Sequence, residues 1–179
     1  MWTEAFLEYL TLERNYSLRT VEEYRDDLNA FESYYKKVDS TLSWETMDGD
    51  VVRDWMVSMM EAGRTATTVN RRLSALRTFY RYLLRRDWIK VDPVRNIQGP
   101  KKKKPLPVFL KESEMNRLLD GDFFGNDFLG KRDKLIVNTF YVTGIRLSEL
   151  TSLNNQDVDM WGGVIRVTGK QNNQRIVPF

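Results

Sequence analysis

Residues 66–85, "ATTVNRRLSALRTFYRYLLR", carry apolar side chains at Ala66, Val69, Leu73, Leu76, Tyr80 and Leu83. Steps of three and four residues are the period of an α-helix with one buried face. At ~100° per residue that face takes about one third of the circumference. Thr67, Asn70, Arg71, Ser74, Arg77, Thr78, Arg81 and Arg85 fall together on the neighbouring arc. Hydroxyl and amide donors interleaved with arginines suit phosphate oxygens and can reach base edges. An ordinary solvated face mixes Glu and Lys for pairing along the helix, whereas this arc meets no acid before Asp87. The stretch predicts a core helix and a candidate DNA face, with an RNA surface or a solvated face as the alternatives.

Three more helices are expected before it. Trp2, Phe6, Tyr9 and Leu10 form a short apolar face that ends near Asn15. Ser17 is a candidate N-cap for a second helix, with Val21, Tyr24, Leu28, Phe31 and Tyr35 on its face. Val52, Trp55, Met56 and Met59 mark a third, ended by Gly63. The methionine and aromatic stripes read as core, and 179 residues with 41% hydrophobic positions are enough to build one.

The chain has neither cysteine nor histidine. Disulfides and thiolate chemistry are excluded, as are the commonest general base and the commonest metal ligand. No metal or cofactor is expected. No apolar run approaches the ~18 residues of a membrane span, and Met1-Trp2-Thr3-Glu4 does not open a signal peptide. The expectation is a soluble, cytoplasmic protein without a membrane partner. Its net charge of +3 hides an asymmetry: residues 1–63 sum to −8, residues 64–104 to +11 and residues 105–179 to zero. A +11 block of 41 residues implies a polyanionic partner.

Beyond Asp92-Pro93 the helical pattern has ended. "NIQGPKKKKPLP", residues 96–107, combines Gly99, three prolines and Lys101, Lys102, Lys103 and Lys104. It reads as an extended basic linker whose lysines can hold a nucleic-acid backbone. A second unit begins near Val108. "KESEMNRLLDG" predicts a short helix, and "RDKLIVNTFYVTG" a largely buried one ended by Gly144. Arg146 to Leu153 open another helix. "GVIRVTGKQNNQRIVPF" shows two β-branched runs around a polar turn, which predicts a β-hairpin. The fold class is mainly α with a small β-hairpin, and a two-stranded sheet is marginal by itself.

The chemistry concentrates in "TGIRLSEL", residues 143–150. A guanidinium stays charged at any working pH and suits a planar, two-pronged hold on phosphate. Arg146 stands at a helix start, where amide donors are unpaired. Glu149, one turn on, lies on the same face and can orient it. Taken alone, the pair reads as readily as an ordinary surface ion pair.

The wider context is more specific. The Thr-Gly-Ile-Arg-Leu-Ser-Glu-Leu box is followed by Leu153, Asp157-Val158-Asp159, Gly169-Lys170 and Arg175-Ile176-Val177-Pro178. "FLEYLTLERNYSLRTVEEYRDDLNAF" and "VNRRLSALRTFYRYLLRRDWIKVDPVRNI" stand upstream, and "KPLPVFLKESEM" between. Together these resemble the tyrosine recombinases of the phage integrase family, and most closely the Xer-type bacterial members. The resemblance implies a core-binding (SAM-like) DNA-binding domain of four helices over residues 1–95. It further implies a linker over residues 96–107 and the start of an α+β catalytic domain over residues 108–179. Arg146 matches the arginine that clamps the scissile phosphate, and Glu149 the acid that supports it. Lys170 matches the lysine that protonates the leaving 5′-oxygen.

The family's nucleophilic tyrosine, its His-x-x-Arg pair and its third histidine or tryptophan lie downstream of the hairpin. None of the eight tyrosines here stands in the nucleophile's context. The expectation is the N-terminal portion of a longer site-specific recombinase, acting as a tetramer of protomers on two duplexes. These residues alone should bind double-stranded DNA without cutting it. Chromosome dimer resolution, element integration and DNA inversion remain open as its task. A non-catalytic DNA-binding regulator or recombination accessory protein is the second reading, and a helical interaction module with a merely solvated basic face is the third.

Overall fold

Four helices come first in the computed structural model, which describes residues 2–102, 106–169 and 172–179. They are α1 (Trp2–Leu12), α2 (Leu18–Val38), α3 (Gly49–Glu61) and α4 (Ala66–Arg85). Each of the last three starts on a residue whose side-chain oxygen accepts an early backbone N–H of the helix. Ser17 accepts from Thr20, Asp48 from Asp50 and Thr65 from Thr68. The Ser17 cap and the apolar faces expected for α2, α3 and α4 are present. Val69, Leu73, Leu76, Tyr80 and Leu83 of α4 are all fully buried. Ala75, Phe79 and Tyr82 are buried as well, so the apolar face of α4 is wider than its spacing alone suggests.

Around α4 lies an aromatic core. Phe79 packs edge-on against Phe6 at 5.2 Å and against Trp44 at 4.8 Å, while Phe31 sits 4.8 Å from Trp55. Trp44 comes from the loop between α2 and α3, and its carbonyl accepts the buried Tyr80 hydroxyl at 3.2 Å. The segment after α4 joins this core through Ile89, Val94 and Ile97. The core thus draws on segments far apart in the chain.

Residues 106–179 form a second compact unit. It holds α5 (Glu112–Asp120), α6 (Phe128–Thr143), α7 (Leu147–Thr151), a 3₁₀ turn (Asn155–Asp157) and three strands. The strands are β1 (Val158–Asp159), β2 (Val164–Thr168) and β3 (Gln174–Pro178), antiparallel in that order. The expected hairpin is β2–β3, with Val164 opposite Pro178 and Thr168 opposite Gln174. β1 adds a third strand that the sequence pattern does not reveal, because two residues are too few for any alternation.

One expectation is overturned. α6 was expected to be largely buried, yet none of its residues is fully buried; Leu135 is 65% exposed and Val142 54%. Its apolar groups surround the helix, and among the described residues the unit's buried cluster is small: Ile145, Ile165 and Val167. Such a core can cover one side of a helix and no more. Gly144 ends α6 with a left-handed backbone, φ 59°, and its N–H bonds the Phe140 carbonyl at 2.9 Å. That turn sends Ile145 into the small core and leaves Arg146 as the N-cap residue of α7.

Candidate nucleic-acid interface

Arg146 has an extended backbone, and its N–H donates at 2.8 Å to Oε2 of Glu149. This is one half of a capping box. Its guanidinium also donates to Oε1 of Glu149 at 2.9 Å. Arg175, on β3, brings its fork to the same carboxylate, donating at 2.7 Å to Oε1 and at 2.9 Å to Oε2. The three side chains differ sharply in exposure: Glu149 is 1% exposed, Arg146 66% and Arg175 42%.

One buried carboxylate thus lies between two guanidinium ions, and the cluster keeps one positive charge. The Glu149 carboxyl is pulled down to about 2, first by the Arg175 hydrogen bonds and then by the Arg146 backbone N–H. Burial opposes this and loses, because four donors hold the charged form. Glu149 in turn pushes Arg175 above its usual value. Arg146 is therefore a charged, mostly exposed group on a fixed base. An arrangement of this kind can hold an oxyanion or a phosphate oxygen.

Gly169 closes the hairpin end, its N–H bonding the Asn173 carbonyl at 2.8 Å. A Cβ at this position would stand 3.2 Å from Oε1 of Glu149, so the hairpin approaches the cluster closely. Lys170, the next residue, lies outside the described residues.

The basic arc of α4 separates into two kinds of residue. Arg71 forks onto the buried Asp27 of α2 at 2.6 and 2.9 Å. The Asn70 amide donates to the Ala66 carbonyl at 2.7 Å and to the Pro100 carbonyl at 2.8 Å. The Arg77 guanidinium donates to the Ile97 carbonyl. These three hold the first unit together. Thr67, Ser74, Arg81 and Arg85 are exposed. Among the described residues Arg81 donates only within its own helix, and Arg85 reaches the Tyr9 hydroxyl at 2.9 Å. Lys101 and Lys102 are exposed too, while Lys103 and Lys104 lie outside the described residues.

Two residues escape a reading by sequence. Arg14 joins Arg81 and Arg85 around a groove of about 340 Å³ between the ends of α1 and α4, with Tyr9 and Tyr16 in its wall. Nothing in the spacing links position 14 to positions 81 and 85. Arg175 is the other, 26 residues from the carboxylate it holds.

Residues 3–87 match the phage integrase N-terminal SAM-like domain, and residues 108–179 match the phage integrase family. The chain belongs to the phage integrase family. Within it, the relatives are tyrosine recombinases. "Tyrosine recombinase XerC" of Pelotomaculum thermopropionicum is 39% identical over 180 residues, which is 98% of this chain and 58% of that protein. "Tyrosine recombinase XerD" of Oceanobacillus iheyensis is 33% identical over 176 residues, 98% of this chain and 59% of that protein. The chain thus spans somewhat under two thirds of the length of the curated relatives it matches. Among solved structures, the Tn1549 transposon integrase in complex with transposon right end DNA superposes with a TM-score of 0.78 at 18% identity, covering 99% of this chain and 60% of that one. A lambda integrase dimer bound to a COC′ core site gives 0.74 at 16% identity, covering 99% and 58%. These two likenesses establish the fold.

Proposed function

We propose that this chain is the DNA-gripping part of a site-specific tyrosine recombinase acting on double-stranded DNA in the cytoplasm. The observation that carries the reading is the exposed Arg146 guanidinium on a buried, doubly paired Glu149. In this reading Arg146 clamps the scissile phosphate and Glu149 holds it in place. Lys170 gives its proton to the leaving 5′-oxygen. A tyrosine oxygen, its proton lost to solvent, attacks phosphorus; a 3′-phosphotyrosyl bond forms as the P–O5′ bond breaks and the 5′-oxygen leaves as a hydroxyl; rejoining reverses the step. Each such charge-matched donor contributes on the order of 10²–10³ in rate where negative charge develops.

Residues 1–95 act as the core-binding domain, residues 96–107 as a basic linker along the backbone and residues 108–179 as part of the catalytic domain. Thr67, Ser74, Arg81, Arg85, Lys101 and Lys102 are exposed members of the DNA-facing set that are not committed to Asp27 or to a loop carbonyl, and Arg14 joins them. Lys103 and Lys104, outside the described residues, complete the set of linker lysines. Of the eight tyrosines, seven belong to the first unit and Tyr141 lies on α6, before the Gly144 turn. As it stands the chain binds duplex DNA and does not cut it, and further protomers assemble on two duplexes to complete recombination.

A band-shift titration on random duplex DNA across a salt series tests this, beside an Arg81→Ala/Arg85→Ala variant. Binding should weaken by orders of magnitude from low to physiological salt if several phosphates are held, and the variant should lose most of it. Absence of binding at low salt contradicts the proposal. Binding that the variant retains moves the DNA face elsewhere.

A further inference from the structure

Arg146 and Glu149 alone would be a neutral pair. With nothing else beside it, a carboxylate that is 1% exposed must draw the nearest guanidinium fully onto itself, because an uncompensated buried charge is strongly unfavourable. Arg146 does not close onto Glu149 in this way. It gives the carboxylate one guanidinium nitrogen and one backbone N–H, and its side chain stays 66% exposed. The full two-pronged contact comes from Arg175 on β3. The family resemblance assigns no role to this residue.

We infer that Arg175 is a positioning residue for Arg146: by taking both oxygens of Glu149 in its own fork, it leaves the positive charge of Arg146 free to hold a phosphate. The inference rests on the reading of Arg146 as a phosphate grip. The charge count supports it, since two guanidinium ions on one carboxylate leave one positive charge and one guanidinium leaves none. The low carboxyl value of Glu149, with the Arg175 hydrogen bonds as its leading cause, agrees. Arg175 also ties β3 to the start of α7, and so joins the strand that leaves the hairpin turn to the helix that begins after Arg146. Removing it should swing the Arg146 guanidinium down onto Glu149.

The test measures affinity for duplex DNA at low salt for the whole chain and five variants. They are Arg146→Ala, Arg175→Gln, Arg175→Lys, the double variant Arg146→Ala/Arg175→Gln and Glu149→Gln/Arg175→Gln. A charge-assisted phosphate contact corresponds to about tenfold or more in affinity. Arg146→Ala and Arg175→Gln should each show that loss, and Arg175→Lys, which restores the charge without the fork, should recover part of it. The deciding readout is the combination Arg146→Ala/Arg175→Gln, which should bind within about twofold of Arg146→Ala alone, since Arg175 acts through Arg146.

A loss from Arg175→Gln that persists undiminished in the Arg146→Ala background overturns the inference, because Arg175 would then act as a general charge or a hairpin tie. So does an Arg175→Gln chain that binds like wild type. If Arg175→Gln fails to fold, Glu149→Gln/Arg175→Gln decides, since it buries no lone charge: an affinity between wild type and Arg146→Ala, with Arg146 free but no longer held by Glu149, supports the inference, and the Arg146→Ala level overturns it. An Arg146→Ala chain that binds like wild type removes the phosphate grip itself, and with it any role for Arg175 in that grip.

Discussion

Asp27 and Glu149 are both buried carboxylates beside two arginines, yet their environments shift them in opposite directions. Asp27, 3% exposed on α2, receives the Arg71 fork at 2.6 and 2.9 Å, while Arg72 brings its Nε only to 3.5 Å. Burial is the larger effect there and pushes the carboxyl above its ordinary value, with Arg71 pulling the other way. Glu149 has the Arg175 fork, one guanidinium nitrogen of Arg146 at full hydrogen-bond distance and a backbone N–H as well, and falls to about 2. What separates them is which effect leads: burial at Asp27, and the donors that hold the charged form at Glu149. The first cluster binds two helices to each other and uses its arginine fully. The second holds its carboxylate so well from β3 that Arg146 still faces outward.

This contrast predicts what each arginine does when removed. Arg71→Ala strands a buried carboxylate, which costs about 3–5 kcal/mol when nothing compensates. With Arg72 close enough to help partly, about 2–3 kcal/mol is expected, read by urea unfolding through the core tryptophans. Arg146→Ala should change stability by less than about 1 kcal/mol, because Arg175 keeps Glu149 paired at this position. Equal losses from the two variants would erase the distinction.

Acid should separate the clusters next. A carboxyl held below its ordinary value stabilises the fold above that value and loses its contribution as pH falls through the lowered one. For Glu149 the window runs from 4.5 down to about 2. Asp27, raised from 3.8, behaves oppositely: its contribution is present at low pH and is lost as pH rises through its raised value. Amide signals of Ile165 and Val167 in β2 should therefore shift and lose protection across the Glu149 window. Glu149→Gln should flatten that response. A titration unchanged by Glu149→Gln would mean the carboxylate does not hold the hairpin.

The smallest effect belongs to Arg72→Ala. Arg72 has an Nε without a hydrogen-bond partner among the described residues, and its guanidinium lies 6.0 Å from the Trp55 ring. Its loss should cost under about 1 kcal/mol. A cost as large as that of Arg71→Ala would make Arg72 a full partner of Asp27.

The same two clusters mark how far the chain could be read from sequence. The Arg146–Glu149 pair is three residues apart on one helix start, and such neighbours are visible in a string of letters. The faces of α2, α3 and α4 are visible for the same reason. Arg71 and Asp27 are 44 residues apart, and no period joins them until two helices pack. The α4 arc looked free of acid because its acid comes from α2. Arg175 falls in a strand where side chains alternate between faces, but its partner lies across the unit on a helix. The exposure of α6 was hidden too: an apolar run says that a helix can be buried, not that the unit holds enough core to bury it. Trp44, in a loop, joined the core without any periodic signal.

The central claim is that two similar arginines serve different ends, Arg71 holding the first unit together and Arg146 reaching for phosphate. Guanidinium NMR of the whole chain, followed while duplex DNA is added at low salt, tests it most directly. The Nε–H signal of Arg146 should shift with DNA, while that of Arg71, already committed to Asp27, should stay where it is. A shift at Arg71 with none at Arg146 would contradict the account.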